Sequence, residues 1–212
     1  MYLSRVEIDY DNRKFLKELD HLGAYHNWVE QSFPEELETR IRTRKLWRID
    51  KLGNHYYLLI ISQDKPDLDK LEKYGVVSSA MTKEYDNFIN SVFVGQILRF
   101  RAVLNPVISR STGDEEQKRG RVLPLLSEVD QLNYLRERAE KNGFSLDREK
   151  TYLLKSNFEV LKRKNNKKLR IVKAEYQGEL TITDLEKFIY ALKFGIGKKK
   201  AYGFGMITVI PL

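Results

Sequence analysis

Cysteine is missing altogether from the 212 residues, which removes disulfides, thiolate nucleophiles, iron–sulfur clusters and cysteine-built zinc sites. Histidine is scarce: His21, His26 and His55 are the whole supply, too few for a metal cage built from imidazoles. Long apolar runs are lacking too. The longest extends from Tyr56 to Ile61, far short of the ~18 residues of a membrane span. The opening Met1-Tyr2-Leu3-Ser4-Arg5-Val6-Glu7 places charges where a secretory signal needs an apolar centre. The sequence therefore predicts a soluble cytoplasmic protein that spans no membrane and has no metal or cofactor.

What is abundant is charge. Charged residues make up 32% of the chain and apolar residues 42%, against usual shares of about 25% and about 45–50%. The 10 Phe, 12 Tyr and 2 Trp still supply enough apolar bulk to argue against disorder. Lys and Arg number 38 against 30 Asp and Glu, a net charge of +8. Such a surplus points to a polyanion or an acidic membrane surface before a small neutral substrate.

Both halves read as β-α-β-β-α-β. In the first, Val6, Ile8 and Tyr10 alternate with charges as a half-buried strand. Asp11 or Asn12 caps a helix striped by Phe15, Leu16, Leu19 and Leu22; Gly23 interrupts it and Pro34 closes the segment. Arg44 to Lys51 and His55 to Ser62 form a hairpin about Leu52-Gly53-Asn54. Pro66 begins a short helix ended by Gly75, and Lys83 to Val94 reads as extended.

In the second half, Leu98 to Pro106 is a strand and Ser109 to Arg121 a polar loop. Ser127 and Asp130 form a capping box for a helix stopped at Asn142-Gly143. Tyr152 to Lys164 and Lys168 to Ile182 pair about Asn165-Asn166. Thr183 with Glu186 caps a helix striped by Leu185, Phe188, Ile189 and Leu192, and Met206 to Ile210 is the last strand. The fold class is α+β: two tandem ferredoxin-like domains, 1–94 and 95–212, with the topology of the RNA recognition motif. That topology names no activity by itself.

Three features carry chemistry. Lys162, Arg163, Lys164, Lys167, Lys168 and Arg170 crowd cations onto one hairpin tip with no acid among them, so their potentials add, as nucleic-acid binding requires. Arg40, Arg42, Arg44 and Lys45 form a second patch, and Lys118, Arg119 and Arg121 a third. The segment Gly195 to Gly205 interleaves glycines with Lys198, Lys199 and Lys200, allowing a backbone to close on a phosphate. His26 is the titratable group of interest. An uninterrupted helix would bring it to about 20° from Phe15, on the apolar face, so a semi-buried core histidine and an acid–base catalyst are both open readings.

The opening Met1-Tyr2-Leu3-Ser4, His26 followed by Phe33-Pro34, Leu104-Asn105-Pro106, Lys118-Arg119-Gly120-Arg121-Val122, and the close Gly195-Ile196-Gly197…Gly203-Phe204-Gly205…Pro211-Leu212 together resemble the CasE family. These are the CRISPR precursor-RNA endoribonucleases of type I-E systems, within the repeat-associated mysterious proteins. The resemblance implies a metal-independent endoribonuclease that binds the stem-loop of each CRISPR repeat and cuts at the 3′ base of the stem. It also implies a protein that is a monomer when free and afterwards stays on the guide RNA beside the other Cascade subunits.

By the same resemblance His26 is the catalytic histidine. Some members use a tyrosine three residues earlier, where this chain has Gly23; Tyr25, out of register, is the nearest candidate for that part. The expected RNA contacts are Lys162, Arg163, Lys164, Lys167, Lys168, Arg119, Arg121, Lys198, Lys199, Lys200 and Gly203. A non-catalytic RNA-binding subunit of a similar complex is the alternative, and a basic adaptor for proteins or acidic membranes a further one.

Overall fold

A computed structural model describes residues 1–110, 120–162 and 167–212. The first half runs β1 (Tyr2–Glu7), α1 (Arg13–Glu18), α2 (Leu22–Gln31), α3 (Pro34–Thr39), β2 (Leu46–Leu52), β3 (His55–Ser62), α4 (Leu68–Leu71), β4 (Met81–Glu84) and α5 (Asp86–Ile89). Its strands form one antiparallel sheet in the order β2-β3-β1-β4. The second half runs β5 (Ile97–Leu104), β6 (Val107–Arg110), β7 (Arg121–Pro124), α6 (Glu128–Lys141), β8 (Phe144–Leu146), β9 (Tyr152–Lys162), β10 (Lys168–Ile182), α7 (Leu185–Phe194) and β11 (Ile207–Pro211). Its sheet is ordered β11-β5-β10-β8, with β9 also paired to β10. Both sheets thus set the first strand of the unit between the third and the last, and the chain is two ferredoxin-like units in tandem.

Several boundaries differ from the sequence reading, each for a local reason. The first helix is two helices. Asn12 caps α1 by accepting from the Lys14 and Phe15 amides, and the His21 ring accepts from the Gly23 amide to cap α2. Gly23 therefore opens a helix rather than interrupting one. Pro34 does not close the segment either: it is the first residue of α3, where a proline costs no hydrogen bond. Asp67 caps α4 through the Lys70 amide. The stretch expected to be extended from Lys83 coils into α5 directly after β4. Asp184, not Thr183, caps α7 by accepting from the Lys187 amide, while Ser127 caps α6 as its spacing predicts. The β6–β7 ribbon and β8 had no counterpart in the sequence reading.

The two cores interlock. One collects Phe100, Phe144, Tyr176, Phe188 and Leu192 but also takes Leu46 and Ile61 from the first sheet. The other centres on Trp28, Trp47, Leu58 and Ile60, and takes Val103, Leu161, Ile171 and Phe204 from the second half. Leu161 and Ile171 belong to the long β9–β10 hairpin, so its shoulder is fastened to α2; each such buried side chain contributes about 1.5–3 kcal/mol. Arg48 bolts the units together. It is 2% exposed, forms a two-pronged pair with Asp50, and donates to the Arg101 and Met206 carbonyls and the Thr208 hydroxyl. Among the described residues, no helix is long and apolar enough to cross a membrane.

Candidate functional site

Helix α2 buries Leu22, Tyr25, Trp28 and Val29, the i, i+3, i+6, i+7 stripe of a helix packed along one face. His26 and Glu30 lie beside that stripe, four residues apart. Such spacing stacks two side chains on adjacent turns, and His26 Nδ1 stands 4.0 Å from Glu30 Oε1. His26 keeps 30% of its side chain exposed, so it is neither a core histidine nor a free surface one. Against it, from the other unit, comes Tyr202, whose ring meets the imidazole edge-on at 5.4 Å between centroids.

Cations surround this pair. Glu30 lies 3.6 Å from the Lys45 ammonium and 3.8 Å from the Arg42 guanidinium. Burial pushes the His26 pKa below its ordinary value; Glu30 works against that shift, and Arg42 and Lys45 reinforce it. The imidazole is therefore neutral at neutral pH and able to accept a proton. Lys45 does not belong to the basic surface patch expected of residues 40–45. It is buried, held 2.5 Å from Glu36 and set over the Phe33 ring. Arg40, Arg42 and Arg44 do remain exposed.

The glycine-rich loop joins α7 to β11 and forms the other wall. Gly195, Gly197, Gly203 and Gly205 all have positive φ, the left-handed region closed to most side chains. Two of them also let the loop lie flat on the first unit: a Cβ on Gly203 would fall on Trp47, and one on Gly195 on Leu46. The Trp47 indole donates to the Ala201 carbonyl at 3.0 Å. Gly203 is thus buried and serves the packing of the loop. Lys199, in a left-handed conformation itself, sets its ammonium 5.9 Å from the Tyr202 ring centre. Lys198 is exposed, and Lys200 half-buried; burial, with Arg44 nearby, lowers the Lys200 pKa.

Tyr25 points elsewhere. Its ring stacks on Trp47 at 5.9 Å, and burial first, then Tyr10, raises the phenol pKa, so it stays protonated and enclosed. On the basic hairpin, Lys167 and Lys168 are exposed, whereas Lys162 is ion-paired with Asp20 at the α1–α2 junction. The acid absent from the run in sequence is supplied across the fold. Arg163, Lys164, Arg119 and Lys118 lie outside the described residues; Arg121 is exposed on β7. His55 pairs with Glu7 on a strand edge, 2.6 Å apart, and His21 is spent as a cap. Among the described residues no three His, Asp or Glu side chains converge as a metal cage would require.

Sequence reasoning missed Glu30, although the i, i+4 spacing from His26 was there to find. Tyr202 stood inside the glycine-rich segment with nothing local to mark it, because its role depends on a contact between the units.

The chain is 24% identical, over the whole of both chains, to the CRISPR-associated endoribonuclease Cse3 of Thermus thermophilus. Its fold matches Thermus thermophilus Cse3 solved with an RNA representing a pre-cleavage complex, at a TM-score of 0.80 and 24% identity over 99% of this chain and 98% of that one. It also matches a chain of a CRISPR RNA-guided surveillance complex in a pre-nicking state, at 0.69 and 20% over the whole of both chains. The sequence pattern of the family described as CRISPR associated protein covers residues 1–211, and the chain belongs to that family.

Proposed function

We propose that the protein is a metal-independent endoribonuclease that binds the stem-loop of a CRISPR repeat and cleaves precursor RNA at the 3′ base of the stem. The observation that carries the reading is the position of His26. A neutral, half-exposed imidazole stands where α2 meets the lysine-bearing glycine-rich loop, with Arg42 and Lys45 acting on it and Lys199 set over the Tyr202 ring that packs against it.

RNA brings its own nucleophile. His26 takes the proton of the ribose 2′-OH as its oxygen attacks the adjacent phosphorus in line. The P–O5′ bond breaks, the 5′-oxygen leaves and takes a proton from water, and the products are a 2′,3′-cyclic phosphate and a 5′-OH. Lys199 and Lys200 face the charge that grows on the phosphoryl oxygens. Residues 1–94 carry the catalytic histidine and 95–212 the basic hairpin and glycine-rich loop, with Lys167 and Lys168 on the stem. Tyr25 belongs to the packing. The protein acts in the cytoplasm, is a monomer when free, and stays on the product as a Cascade subunit; the fold it shares with a chain of a surveillance complex supports that placement.

Incubation with a CRISPR repeat hairpin in EDTA tests the reading. One cut at the stem base with a cyclic-phosphate end is expected, and a 2′-deoxy residue before the cut should stop cleavage while sparing binding. A strict need for magnesium, or normal cutting of the deoxy substrate, would overturn it.

A further inference from the structure

The acid–base centre is not complete within one unit. His26 belongs to α2, and the aromatic ring against it comes from a loop about 180 residues further along the chain. That loop is positioned by contacts that do not involve His26: the Trp47 indole on the Ala201 carbonyl, the Trp47 ring over Gly203, and the Tyr202 amide on the Lys199 carbonyl. The backbone that carries Tyr202 is therefore placed independently of His26, and its ring lies edge-on against the imidazole.

We propose that Tyr202 is a positioning residue for His26, its ring holding the imidazole edge-on so that the reacting nitrogen is aimed only when the two units are docked. Edge-to-face contact between rings contributes about 0.5–1.5 kcal/mol beyond burial, enough to restrict one rotamer of a half-exposed side chain. The groups facing the imidazole are Glu30 on its own helix, Arg42 and Lys45 on the segment entering β2, and Tyr202 from the loop. Glu30 is held by Arg42 and Lys45, so of these neighbours only the Tyr202 ring both shields the imidazole and sets its tilt. The ring does this, not the hydroxyl, so phenylalanine at 202 should serve equally well.

This inference deepens the nuclease reading and rests on it only for its cleavage arm. The test compares Tyr202→Ala and Tyr202→Phe with the unaltered full chain in two measurements. Proton NMR titration of His26 in the free protein needs no RNA. Removing the ring opens the imidazole to water, so its midpoint should rise toward the ordinary ~6.5 in Tyr202→Ala and stay in place in Tyr202→Phe. Single-turnover cleavage of a repeat hairpin should fall by about 10²-fold in Tyr202→Ala with unchanged RNA affinity, and should be retained in Tyr202→Phe. An unmoved midpoint and undiminished cleavage in Tyr202→Ala would overturn the proposal. So would a Tyr202→Phe variant as slow as Tyr202→Ala, which would place the role on the hydroxyl. If the unaltered protein cuts no RNA, the nuclease reading fails, and the titration still decides whether Tyr202 positions His26.

Discussion

Gly203 lies so close beneath the ring of Trp47 that a Cβ there would come 2.7 Å from Cζ3. A backbone at φ 82° and an indole from the other unit leave glycine as the residue that fits. Gly203→Ala should therefore cost at least the ~1–2 kcal/mol of an L-residue in left-handed conformation, with more for the displaced indole. Thermal unfolding should show a loss of about 2–8 °C, and Tyr202, one residue before it, should lose its place against His26. A variant with unaltered melting temperature would show that the loop does not depend on this contact.

The buried pair of Lys45 and Glu36 sets up a pH-dependent stability. Burial opposes the Glu36 charge, but hydrogen bonds from Lys45 and Thr43 outweigh it and hold the carboxyl below its ordinary value. A depressed folded pKa means the contribution is present above the unfolded value near 4.5 and is lost as pH falls through the lower folded value. Glu36→Gln should cost about 3 kcal/mol at neutral pH, the low end for a broken buried pair, because Glu30 still reaches Lys45. Denaturant titrations of both proteins should converge as the pH falls below the unfolded value near 4.5 and on through the lower folded one. A gap that stays constant with pH would remove the ionic explanation.

Asp20 neutralises one cation of the basic hairpin, since Lys162 is paired with it and the Asp20 pKa is lowered chiefly by that bond. Both groups are substantially exposed, so the pair contributes little to stability. Asp20→Asn should leave folding nearly unchanged and free Lys162 for phosphate. The dependence of log affinity for a hairpin RNA on log salt should steepen by about 0.7–0.9, one contact's worth. An unchanged slope would mean that Lys162 never meets the RNA.

Much of this was legible in the sequence and some was not, for identifiable reasons. The helix start at Ser127 is legible because a cap is a local device, although at α7 the capping oxygen belongs to Asp184, one residue beyond the expected Thr183. The cap at His21 is not legible, because a ring nitrogen rarely does that work, and without it Gly23 reads as a break. The glycine-rich segment was recognised, but the close approach that needs Gly203 is to Trp47, distant in sequence. Local composition held no sign of Asp20 opposite Lys162 or of Tyr202 opposite His26. Both pairs are made by docking one unit on the other, and sequence periodicity speaks only of one element at a time.

The central claim is that His26 moves the proton while the cations hold the RNA, and one comparison tests it directly. Single-turnover cleavage and equilibrium binding of the same repeat hairpin are measured for the unaltered chain and for His26→Ala, with folding of both checked by circular dichroism. His26 is 30% exposed and its removal takes away no phosphate contact, so the variant should fold and bind as before. Its cleavage should slow by about 10²–10⁴-fold, the usual contribution of one acid–base group. A folded, binding-competent His26→Ala that cuts at full speed would contradict the account.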